Sequence, residues 1–134
     1  MMHRLEEGFF VSGQVMPDEV PALAGLGIGL IINNRPDGEE AGQPPAVRIE
    51  AAAADAGLVY RHIPIRQLTP EAIEAMSQAL SEAGGPVLAF CKSGTRSTYL
   101  WALARSLQGG DGDMLVASAA SAGYDLSPIR RFLR

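Results

Sequence analysis

Four short apolar runs, at residues 9–12, 28–33, 58–63 and 86–91, alternate with stretches of helical character, and this alternation restricts the fold more than any other feature. Strands separated by helices pair in parallel, because a crossover returns the chain to the same end of the sheet. Its right-handed sense lays helices over both faces. The expectation is an α/β fold: a mostly parallel four- to five-stranded sheet flanked by helices, with ligands bound beyond the carboxyl ends of the strands.

The intervening segments carry helix signals. Pro17, Asp18 and Glu19 suit the start of a helix over residues 16–27. The alanine-rich stretch 46–56 ends at Gly57, a natural left-handed terminator. Thr69 as cap, Pro70 at the first position and Ile73, Met76 and Leu80 on one face predict a third helix, stopped by Gly84-Gly85-Pro86. A fourth runs from after Cys91 to about Gln108, Asp113 opens a fifth, and Ser127-Pro128 starts a final turn that docks Ile129, Phe132 and Leu133.

At 134 residues, 47% of them hydrophobic, the chain is expected to fold as a single domain over residues 1–134. Lys92 is its only lysine and the arginines are scattered across a net charge of −4, which excludes a nucleic-acid groove. The longest apolar stretch, residues 23–32, contains three glycines and falls well short of the roughly 20 residues needed to cross a bilayer. Residues 1–8 do not resemble a secretion signal, so a cytoplasmic location is expected. With two histidines far apart and one cysteine, neither a metal nor another cofactor is expected.

That cysteine sits in Phe90-Cys91-Lys92-Ser93-Gly94-Thr95-Arg96-Ser97, where a buried strand gives way to a helix. Unpaired backbone N–H groups at a helix start stabilise a thiolate and bind tetrahedral anions. Gly94 lets the backbone turn several N–H groups onto one point, and Arg96 offers a planar fork to oxyanions. Cys91 therefore reads as a nucleophile beneath an anion cradle formed by Lys92, Ser93, Gly94, Thr95 and Ser97, with the Ser97 hydroxyl as a donor to the sulfur.

A second polar loop, Asn33-Asn34-Arg35-Pro36-Asp37-Gly38-Glu39-Glu40, leaves the second strand at the same end of the sheet. Asp37 is the candidate proton donor, with Glu39 and Glu40 behind it, and Arg35 is a candidate for attracting an anionic substrate. A solvated turn bent at Asp37-Gly38 is the bland alternative. His62, in a strand, suits a bond to a backbone carbonyl.

Three ordered motifs, Val11-Ser12-Gly13-Gln14, Asn34-Arg35-Pro36-Asp37-Gly38-Glu39 and Cys91-Lys92-Ser93-Gly94-Thr95-Arg96-Ser97 with Leu100-Trp101-Ala102-Leu103, make the chain resemble the phosphatase-like domain family fused to, or encoded beside, beta-lactamase-like hydrolases in bacteria. The resemblance implies a fold similar to dual-specificity protein tyrosine phosphatases, Cys91 as nucleophile, Arg96 on the oxyanion and a functional link to a beta-lactamase-like hydrolase. The chain departs from tyrosine phosphatases at three points. Four residues, not five, separate Cys91 from Arg96; residues 63–67 hold no acid; and Phe90 stands where a histidine is common.

Two reactions fit these residues. Cys91 attacks a phosphate monoester and passes through a cysteinyl phosphate, or, as the short loop of rhodanese-type sulfurtransferases suggests, it takes sulfane sulfur and carries a persulfide. A non-catalytic anion-binding module is the third possibility. The expected partner is thus a phosphorylated or sulfane-sulfur-bearing anion, with no nucleic acid and no membrane.

Overall fold

The computed structural model describes residues 2–134. Its sheet has five strands, β1 (His3–Glu6), β2 (Phe9–Ser12), β3 (Leu30–Asn33), β4 (Val59–His62) and β5 (Val87–Phe90), in the order β1-β2-β5-β3-β4. The β2, β5, β3 and β4 strands run parallel, as expected. β1 pairs antiparallel with β2, so the sheet is mixed. The extra strand falls in a charged tetrapeptide, His3-Arg4-Leu5-Glu6, in which Leu5 alone is buried. An edge strand covered on one side needs one inward residue and no apolar run.

Alternate residues of the central strands feed opposite layers. Leu30, Ile32, Val87 and Ala89 face the helices α3 (Pro70–Glu82), α4 (Thr95–Leu107) and α5 (Gly112–Ser121), packing with Met76, Leu100 and Trp101. Ile31, Leu88 and Phe90 face α1 (Val20–Gly25) and α2 (Ala46–Asp55), packing with Val20, Leu23, Ile49 and Ala53. This period of two, with both faces apolar, is what a doubly covered sheet requires.

Helix ends follow the sequence with small shifts. Thr69 caps α3 by accepting from the Ala72 N–H. Pro17–Glu19 form a 3-10 turn ahead of α1. Asp111, rather than Asp113, caps α5 through the Met114 N–H, and Asp113 instead pairs with Arg130. Ile129 and Leu133 are buried as expected, whereas Phe132 stays exposed beside the Arg131 guanidinium. Among the described residues no helix is long and apolar enough to cross a membrane.

The register places the site. Phe90 stands opposite Ser12 on one side and Asn33 on the other, so the loops that begin at Gly13, Asn34 and Cys91 leave one edge of the sheet together. Two bonds sew them at their roots: Asn34 N–H to Phe90 O at 2.8 Å and Cys91 N–H to Ser12 O at 3.4 Å.

Candidate active site

Cys91 is fully buried, one residue beyond β5, and the chain then turns into α4 through Gly94, whose φ is +91°. That conformation aims the Gly94 N–H at the Cys91 Sγ, 3.1 Å away. A side chain there would be strained by the backbone angle and would meet the Tyr124 hydroxyl. Gly13 is constrained by space instead: a Cβ on it would lie 2.9 Å from the Lys92 carbonyl oxygen. The first motif therefore packs backbone to backbone against the cysteine loop.

Arg96, in the first turn of α4, is held from behind. Its Nη1 donates to Glu39 Oε2 at 2.8 Å and to Ile65 O at 3.0 Å, and its Nη2 donates to Glu39 Oε1 at 2.9 Å. A guanidinium has five N–H donors in a fixed fork, so these bonds leave the Nε–H and the second Nη2–H side by side. Two oxygens of one tetrahedral anion fit that edge. The hydrogen bonds to Glu39, and the neighbouring Cys91 more weakly, raise the Arg96 pKa against the opposing effect of burial.

Glu39 also accepts from Arg35 Nε at 2.9 Å, so one carboxylate bridges two arginines. Arg96 first, and Arg35 after it, hold its pKa down at about 2 against burial. Glu40 receives Arg35 Nη2 at 3.0 Å and lies 3.5 Å from Lys92, and its pKa is lowered by the same neighbours. The cluster thus sets Arg35, Lys92 and Arg96 against Glu39 and Glu40, an excess of one positive charge beside the thiol.

Several side chains do other work than the sequence implies. Arg35 is not an open cation for substrate: it is 2% exposed and spends its donors on Glu39, Glu40 and Gln14, because a buried guanidinium must be paired. Ser97 does not donate to the sulfur; its hydroxyl is buried and donates to Asn34 Oδ1 at 2.8 Å, clamping α4 to the end of β3. Asp37 accepts from the Ala46 N–H at 2.8 Å and so caps α2. Lys92 is exposed, and Ser93 donates to Thr95 Oγ1 at 3.0 Å. His62 Nε2 lies 3.1 Å from the Arg35 carbonyl oxygen, the backbone bond expected of it.

Glu39 as the grip on Arg96 and Tyr124 against Gly94 are the parts that sequence reasoning missed. Gln14 and Asn34 stand in the quoted motifs, which was the available signal for them. A groove of about 430 Å³ lined by Leu68, Ile73, Leu103 and Phe132 shares no residue with this site.

A family model described as "Beta-lactamase hydrolase-like protein, phosphatase-like domain" matches residues 2–108. The beta-lactamase hydrolase-like protein of Agrobacterium fabrum is 43% identical over 108 residues, 79% of this chain and 25% of its own length. The chain spans between 25% and 31% of the curated relatives it matches. A crystal structure of a candidate phosphatase from Neisseria meningitidis superposes with a TM-score of 0.83 at 34% identity, covering 96% of this chain and 93% of that one. P. aeruginosa TpbA, crystallised with pTyr, superposes at 0.64 and 20% identity over 98% of this chain and 79% of that one, a likeness of fold.

Proposed function

The chain belongs to the phosphatase-like domain family of beta-lactamase hydrolase-like proteins, and from that premise we propose that it hydrolyses phosphate monoesters with Cys91 as nucleophile. The observation that carries the proposal is the pairing of the Gly94 N–H on the Cys91 sulfur with an Arg96 fork held from behind in the same loop.

The Cys91 thiolate attacks phosphorus in line with the leaving oxygen. The S–P bond forms as the P–O bond to the leaving group breaks, and Arg96 Nε–H and Nη2–H together with loop amides hold the non-bridging oxygens. Lys92 adds its charge at the rim, Thr95 and Ser93 brace the turn through each other, and Ser97 keeps the loop seated on β3 through Asn34. Glu39 and Glu40 are held ionised by arginines, which unfits them as proton donors at neutral pH. Asp37 is the acid of the loop without an arginine partner; with one carboxylate oxygen on the Ala46 N–H, its other oxygen is assigned to carry the proton to the leaving oxygen. Water then attacks the cysteinyl phosphate, releasing phosphate and the thiolate.

The four-residue spacing from Cys91 to Arg96 favours a second reading, a persulfide carried on Cys91. Intact mass after a rapid quench separates the two. An aryl phosphate is expected to leave a phosphoryl adduct that is absent in Cys91→Ser. A gain of one sulfur atom from thiosulfate, removable by cyanide, with no phosphoryl adduct and no aryl phosphate turnover, would overturn hydrolysis in favour of sulfur transfer. The relatives' name supports a functional link to a beta-lactamase-like hydrolase, and bacterial, cytoplasmic placement belongs to the same proposal.

A further inference from the structure

The Ser93–Gly94 peptide is held at both ends. Its N–H points at the Cys91 Sγ, 3.1 Å away, and its C=O accepts a hydrogen bond from the Tyr124 hydroxyl at 3.1 Å. A trans peptide is planar with N–H and C=O opposed, so whatever fixes the carbonyl fixes the direction of the N–H. Tyr124 lies in the turn after α5, far from the cysteine loop in sequence, and nothing in the three motifs includes it.

We propose that Tyr124 is a positioning residue for the nucleophile: its hydroxyl locks the Ser93–Gly94 peptide so that the Gly94 amide stays aimed at the Cys91 sulfur. The ring is itself braced. Its backbone N–H donates to Ala119 O at 2.9 Å, and His3 of β1 meets it edge to face with centroids 5.9 Å apart. Burial first, and the neighbouring Cys91 after it, raises the phenol pKa, so the hydroxyl keeps its proton as a donor. Gly94 completes the fit, since any Cβ there would displace the hydroxyl. The ionisable groups around the cysteine loop are Arg96 at the start of α4, Lys92 beside Cys91, the Arg35, Glu39 and Glu40 cluster of the second loop, and the Tyr124 phenol. The role rests on Cys91 being the nucleophile, but not on which anion it attacks.

The test is the pH dependence of Cys91 alkylation by iodoacetamide, followed by intact mass, in the wild type and Tyr124→Phe. Loss of the hydroxyl frees the peptide to rotate, weakens the bond to the thiolate and moves the midpoint up by about half to one unit. Aryl phosphate turnover is expected to fall several-fold in kcat with KM little changed, at a melting temperature near that of the wild type. An unchanged alkylation midpoint in a folded Tyr124→Phe variant would overturn the role. Should that variant fold poorly, 3-fluorotyrosine at position 124 retains the packing and strengthens the donor; it is expected to lower the midpoint, and no movement overturns the role. Failure of phosphate turnover in the wild type, with the alkylation shift intact, would sink hydrolysis and leave Tyr124 in place.

Discussion

Glu39 and Arg96 meet end to end, two carboxylate oxygens on two terminal nitrogens at 2.8 and 2.9 Å, and Glu39 reaches from the second loop to do it. The contact is a buttress: it fixes the rotation of the guanidinium and leaves the Nε–H and the second Nη2–H free of Glu39. Glu39→Gln removes one charge and replaces an acceptor oxygen by a donor nitrogen. KM for an aryl phosphate is expected to rise about tenfold, and stability to fall by about 1–3 kcal/mol, because Arg96 Nη1 loses its acceptor and the amide oxygen left for Arg35 carries no charge. Steady-state kinetics and a denaturant titration read the two effects separately.

Arg96→Lys should be far more damaging than its preserved charge implies. A point charge cannot bind Glu39 with two nitrogens and also offer a parallel pair of N–H groups. A loss in kcat/KM on the order of 100-fold is expected, and retention of most activity would remove Arg96 from the oxyanion.

Asp37→Asn separates proton donation from helix capping, since the amide oxygen still accepts from the Ala46 N–H. Turnover of a poor alkyl leaving group is expected to drop on the order of 100-fold, with an activated aryl phosphate nearly unaffected. Equal losses on both substrates would take Asp37 out of the acid role.

Acid should loosen this site in a defined window. Glu39 is ionised in the folded protein down to about 2 against an ordinary 4.5, so its pairing stabilises the fold fully above the unfolded value and loses that effect as pH falls toward 2. Glu40 shifts in the same direction. Melting temperature measured from pH about 5 downward is expected to fall less steeply in Glu39→Gln than in the wild type.

The two glycines of the site fail for different reasons when given a methyl group. Gly94→Ala must hold a left-handed backbone, which costs about 1–2 kcal/mol, and push Tyr124 away. Gly13→Ala presses on the Lys92 carbonyl alone. The first is expected to cost more than tenfold in kcat and the second several-fold, so comparable wild-type rates in both would show that the loop tolerates displacement.

The cysteine loop was legible because its chemistry is local: strand end, glycine, arginine and helix start lie within a few residues. Arg35 reads as an open cation in sequence because a lone arginine in a polar loop gives no sign that Gln14, Glu39 and Glu40 will enclose it. Ser97 looks available to the sulfur in sequence, yet its partner Asn34 arrives only when β3 lies beside β5. Tyr124 has no local signal at all. The antiparallel β1 was hidden because one buried leucine among charged residues leaves no periodicity to detect.

The place of β5 in the middle of the sheet bears on how the cysteine loop is assembled. Phe9 must find Val87, and Leu30 must find the same residue from the other side, before the cysteine strand has either neighbour. Closing such distant loops is the slow part of folding. The Arg96 buttress and the Tyr124 lock come from still other stretches of chain. A chain in which those distant stretches have not met carries the thiol without the Arg96 buttress and without the Tyr124 lock.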